Sequence, residues 1–138
     1  MPHHVLIACA AKKLPHAAPA SVLYQSTLFR LSLAFARSLR PDTIFILSAL
    51  HGLLPLEEMV EPYDVTLNLM PKKERVAWSD RVLAQLRRAA DLQEDRFTFL
   101  AGSRYRERLI PHLRHAEVPL RGLRIGEQLQ FLAKGSRQ

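Results

Sequence analysis

Short apolar runs alternate with longer amphipathic stretches along the chain, and this alternation predicts the elements. HVLIACA (4–10) is a compact apolar run followed by polar residues, the pattern of a buried strand. SVLYQSTLFRLSLAFARSL (21–39) carries a helical stripe at Tyr24, Leu28, Leu31, Phe35 and Leu39, and Pro41-Asp42 closes it. TIFILSAL (43–50) predicts a second buried strand. Pro71 opens a helix with its stripe at Trp78, Val82, Leu86 and Ala89. RFTFLAG (96–102) predicts a third strand. Ser103 has the character of an N-cap, for a helix that Pro111 must kink or divide. EVPLRGL (117–123) predicts a short strand, placed at an edge by Pro119. IGEQLQFLAK (125–134) predicts a closing helix, and Lys134 to Gln138 form a short polar tail expected to be flexible.

Strands that alternate with helices pair in parallel. The expected fold is therefore one α/β domain over residues 1–138, a small three-layer sandwich with a mostly parallel sheet of three or four strands flanked by helices. A length of 138 residues suits one core. No apolar run reaches the about 20 residues that span a bilayer. The apolar start of MPHHVLIACAAKK precedes its charges, the reverse of a secretory signal, so a cytoplasmic protein with no membrane contact is expected. Cys9 is the single cysteine, which excludes an internal disulfide.

The charge changes the picture. Net charge is +7, with two basic segments, residues 1–40 and 96–124, on either side of an acidic middle. Fifteen of the twenty basic residues are Arg, whose planar fork matches phosphates and stacks on bases. DNA, RNA or a nucleotide-like ligand is the expected partner. A solubility role for the same charge is the competing explanation.

In open α/β sheets ligands bind outside the carboxyl ends of the strands. Lys12 and Lys13 follow the first strand. Ser48 lies near the end of the second, and His51, Gly52, Glu61, Tyr63 and Asp64 follow it. Gly102, Ser103, Tyr105 and Arg106 follow the third, where a helix start would favour an anion. Glu127 opens the closing helix. His51 is a candidate general acid or base. Glu61 or Asp64 would orient it or act beside it, and Lys13 is a candidate cation or base. Each also has a bland explanation: a solvated Lys, a structural His, a turn at Pro62-Tyr63-Asp64, an aromatic covering the core, a capping Glu. No GxGxxG, GxxxxGK[ST] or GxSxG is present, which weighs against dinucleotide, P-loop and hydrolase-elbow sites. No cofactor is expected. His112 and His115 have helical spacing without a completing carboxylate or Cys, and His3-His4 precede the first strand, so no metal is expected.

The motifs KK, LYQSTLFR, ILSALHGLL, EPYDVTLNLM, LAGSRYRERL and PLRGLRIGEQL together resemble a bacterial and phage family of unknown function, over roughly residues 5 to 133. Leu50 stands where that family often has Lys, so any phosphate contact of such a Lys is absent. The first two motifs are distantly similar to the lysine-transferring core of archaeosine synthase and to the YaaA-like peroxide-stress proteins, which bind DNA. That resemblance implies a sandwich related to uracil-DNA glycosylases. Two functions follow as expectations. One is a nucleobase-directed enzyme that cleaves or exchanges a glycosidic bond or modifies a base. In it Tyr24 or Tyr63 stacks on the base, Lys13 and Arg106 hold phosphate, and His51 with Glu61 or Asp64 carries the chemistry. The other is a non-catalytic DNA-binding stress protein of YaaA-like type.

Overall fold

A computed structural model describes residues 1–136. Its central sheet has five strands: β1 (His3–Ala8), β3 (Thr43–Ser48), β4 (Gly52–Pro55), β6 (Arg96–Leu100) and β7 (His115–Glu117), in the order β4-β3-β1-β6-β7. β1 lies at the centre, parallel to β3 and to β6, and β7 extends the parallel set beyond β6. Only β4 is antiparallel. It turns back on β3 so that Gly52 faces Ser48. β2 (Ala18–Pro19) and β5 (Met59–Val60) form a separate two-stranded ribbon.

Two helical layers cover the sheet. On one face α1 (Ala20–Leu23), α2 (Thr27–Ser38) and α5 (Ile125–Gly135) bury Val5, Ile7, Ile46 and Leu100. On the other face α3 (Lys72–Ala89) packs Trp78, Val82 and Leu86 on Leu6, Leu47, Phe97 and Phe99. Alternate residues of β1 thus enter opposite cores, as the period-2 pleat requires. The three-layer α/β fold with a mostly parallel sheet matches the expectation.

Several details differ. The sheet gains a strand because Gly52-Leu53-Leu54-Pro55, read as the start of a polar loop, pairs with β3. The long helix expected over 21–39 is two helices. Tyr24 leaves helical geometry and bridges to Lys13, and Ser26 restarts the helix by accepting a hydrogen bond from the Phe29 N–H at 3.0 Å. Long-range pairing overrides the local helical pattern there. Leu39 and Ala89, the last positions of the two stripes, are exposed. The helix from Ser103 is a single turn, α4 (Ser103–Arg106), followed by a 3-10 turn at Ile110–His112 that accommodates Pro111. The edge strand forms at 115–117 rather than 117–123. α5 includes Lys134 and Gly135, the first two residues of the expected tail. The tail's last two residues, 137 and 138, lie outside the described residues.

Candidate functional site

The carboxyl edge of the sheet gathers most of the candidates around Tyr63. Its hydroxyl lies 2.6 Å from that of Tyr24 and 2.6 Å from Ser48 Oγ. Ser48 Oγ also accepts from the His51 backbone N–H at 3.0 Å. Beneath it, the indole N–H of Trp78 donates to the Ser48 carbonyl at 2.8 Å, tying the end of β3 to α3. Two side chains contact the Tyr63 ring. Lys13 Nζ sits over its face, 4.3 Å from the centroid, a cation–π distance. The His51 ring stands perpendicular to it at 5.5 Å. Burial pushes the Tyr24 phenol up to about 12 and raises that of Tyr63 as well, with the nearby Cys9 thiol adding to both. Both phenols are therefore protonated at neutral pH and able to donate hydrogen bonds.

The turn that presents His51 is held from α3. Gly52 has φ +75°, a region that suits Gly. A Cβ built there would lie 2.3 Å from Gln85 Oε1, the oxygen that accepts from the Leu53 N–H at 2.9 Å. Gln85 Nε2 donates to the His51 carbonyl at 3.3 Å, and Arg81 donates to the Leu50 carbonyl at 3.0 Å. The His51 ring itself is exposed.

The remaining candidates scatter. Glu61 and Asp64 are exposed, and among the described residues neither is hydrogen-bonded to His51. Asp64 borders a surface groove with Met70 and Glu74. Lys12 is exposed, and its carbonyl accepts from the Gln25 N–H. Tyr24 is 1 % exposed, so its ring supports Tyr63 from below and offers no stacking face. Tyr105 is also buried, edge-on to Trp78 at 5.7 Å, in the core-covering role. Glu127 accepts from the Arg124 N–H at 2.9 Å and caps α5. The one-turn α4 supplies no helix-start anion site. Among the described residues, no three His, Cys, Asp or Glu side chains are grouped as a metal would need.

Cys9, absent from the candidates read from the sequence, occupies the centre of this edge. Its Sγ is 3.6 Å from the Tyr105 hydroxyl; burial raises the Tyr105 phenol pKa, as it does those of Tyr24 and Tyr63, and the nearby Cys9 adds to each. It lines two depressions. One is a cavity of about 100 Å³ between the ends of β1 and β6, reached by Arg106 and Gln128. The other is a wider groove of about 390 Å³ along Thr66, Asn68, Ser103 and Arg104. Gly102 borders both, and a Cβ there would meet nothing. The strand-end rule applied to Lys12 and Lys13 applies equally to Cys9, the first residue past β1.

The fold and this edge define a three-layer α/β domain with a polar site at the carboxyl ends of its parallel strands. Among the described residues no helix is long and apolar enough to cross a membrane. The chain belongs to the Family of unknown function (DUF6884), whose model matches residues 5–134. No curated protein matches it.

Proposed function

We propose that this domain acts on a nucleobase, in nucleic acid or in a nucleotide, by cleaving or exchanging its glycosidic bond or by modifying the base. The supporting observation is the convergence of Lys13 and His51 on the Tyr63 ring. A cation and a titratable imidazole meet at one carboxyl-edge position, above a chain of protonated hydroxyls. Breaking a glycosidic bond calls for a cation near phosphate and a polar group beside the departing base or the attacking water. In this reading Lys13 and Arg106 engage phosphate. His51 polarises the base or the water, and Asp64, one residue past Tyr63, or Glu61 supplies the carboxylate. The motif similarity to the archaeosine synthase core agrees with a base-directed role.

Both carboxylates are exposed and among the described residues form no ion pair, which favours a second reading, a non-catalytic DNA-binding stress protein of YaaA-like type. One experiment separates the two. Base release is screened on DNA containing uracil, hypoxanthine, 8-oxoguanine or deazaguanines, and on the matching nucleotides, with His51→Ala and Asp64→Asn as controls. The enzyme reading expects release by wild type and a loss of about 100-fold or more in His51→Ala with binding retained. No release from any substrate, with both variants binding like wild type and affinity falling steeply with salt, selects the binding protein.

A further inference from the structure

The cavity between the ends of β1 and β6 has the lining of an anion site. Its walls include Ser26, Ser32, Arg106 and Gln128, and no Asp or Glu contributes. Ser26 is the N-cap of the 12-residue α2, so the positive end of that helix opens on the cavity. Phe29 N–H is taken by Ser26 Oγ and Arg30 N–H by the Ser26 carbonyl, which leaves the N–H groups of Thr27 and Leu28 as the orphan donors of the first turn. Arg106 donates one N–H to the Ala101 carbonyl at 2.8 Å. Among the described residues Arg106 forms no ion pair with a carboxylate; Arg121 adds like charge near it and Glu107 an opposing charge. Ser32 is only 2 % exposed and lines the cavity. A half-buried guanidinium, a helix start and two serine side chains on one cavity wall are the recognition chemistry of a phosphate.

Size narrows the ligand. At about 100 Å³ the cavity is smaller than the ~300 Å³ of ordinary small-molecule pockets, so it holds one small group rather than a whole ligand. α2, α5 and Leu120 wall it. A phosphodiester inside a polymer would need two exits for its chain. The wider groove shares Cys9, Leu28 and Gly102 with the cavity and leads away from it past Thr66 and Asn68.

We propose that this cavity binds the phosphate monoester of a free mononucleotide, with the rest of the molecule lying in the adjoining groove. The assignment of the base end rests on the function proposed above; that of the phosphate does not. The test measures equilibrium binding of 5′-mononucleotides, the corresponding nucleosides, ribose 5-phosphate, and oligonucleotides with either a free 5′-phosphate or both ends blocked. In parallel, the alkylation rate of Cys9 is followed, since the single thiol lines the cavity.

Mononucleotides are expected to bind at least tenfold more tightly than nucleosides and to slow Cys9 alkylation several-fold. Arg106→Gln is expected to lose at least tenfold in mononucleotide affinity while nucleoside affinity stays unchanged. The wild-type comparisons and the thiol footprint stand even where that variant fails to fold. Ribose 5-phosphate binding as tightly as a mononucleotide supports the phosphate cavity and defeats the base-directed function. Base release from an end-blocked strand, without mononucleotide binding, does the reverse. A 5′-phosphorylated strand that matches the mononucleotide moves the monoester to a strand end and overturns the free-nucleotide assignment. End-blocked strands that bind as tightly as mononucleotides, or an Arg106→Gln protein with unchanged affinity, overturn the cavity altogether.

Discussion

Tyr63 links fold and site through one atom. Its hydroxyl is hydrogen-bonding distance from both Tyr24 and Ser48, while its ring meets Lys13 and His51. The two roles separate in Tyr63→Phe, which keeps an aromatic face for Lys13 and deletes the hydroxyl. The buried Tyr24 hydroxyl then loses a partner, and Ser48 Oγ keeps only the His51 N–H. An unsatisfied buried hydroxyl costs about 1–3 kcal/mol, so the unfolding free energy is expected to fall by that amount, read as a lower urea midpoint at unchanged m-value. Tyr24→Phe removes the opposite end of the same contact and is expected to fall similarly, with the double variant losing less than the sum of the two. An unchanged midpoint in both single variants would mean that the hydroxyl chain contributes nothing to stability. None of this was legible from Glu61-Pro-Tyr-Asp64 alone. The sequence places Tyr63 beside two carboxylates, but only the fold shows that the Tyr turns inward while its neighbours face solvent.

At the scale of elements, the amino edge of the sheet carries a second polar network, opposite the site. His4 of β1 is buried, with Nε2 2.8 Å from Asp95 Oδ2 and Nδ1 in contact with Thr43 Oγ1 of β3. Asp95 also accepts from the Asp91 N–H at 3.0 Å, closing the turn between α3 and β6. The His4 hydrogen bond, chiefly, holds the Asp95 carboxyl below its ordinary value of 3.8. A depressed folded-state pKa stabilises the protein above the unfolded-state value, and that stability drains as pH falls through the folded-state value. Thermal midpoints measured from about pH 6 down to about pH 2 should therefore drop more steeply below pH 3.8 in wild type than in Asp95→Asn. Parallel curves would remove Asp95 from the acid response. Elements whose identity is local, such as β1, β3, β6 and α3, were readable from apolar periodicity. The break between α1 and α2 was not, because it depends on Tyr24 pairing with Lys13 across the fold. Ser26 was the available signal, a capping residue inside an otherwise helical stretch. The antiparallel β4 was hidden for a related reason. A four-residue strand is too short for periodicity to declare, and its pairing with β3 follows from the turn at Gly52.

Across the whole molecule, the two cores are back to back on one sheet, and single residues couple them. β1 sends Val5 and Ile7 to one side and Leu6 to the other, and β3 divides Ile46 and Leu47 in the same way. Neither helical layer retains a complete core without the sheet, and the sheet retains neither face without its layer. We therefore expect 136 described residues to unfold as one cooperative domain. The single tryptophan makes this directly observable. Trp78 is 3 % exposed, lies in the α3 layer, and is bonded to the end of β3 directly beneath Ser48 and the site. Its fluorescence reports α3 against the sheet, whereas most of the α2–α5 layer is visible only in the far-ultraviolet circular dichroism. Urea transitions followed by the two probes should coincide, with a common midpoint and slope. An earlier far-ultraviolet transition would mean that α2 and α5 detach first. Because α2 walls the proposed phosphate cavity while α3 supports His51, such a sequence would also let the two halves of the site be lost separately.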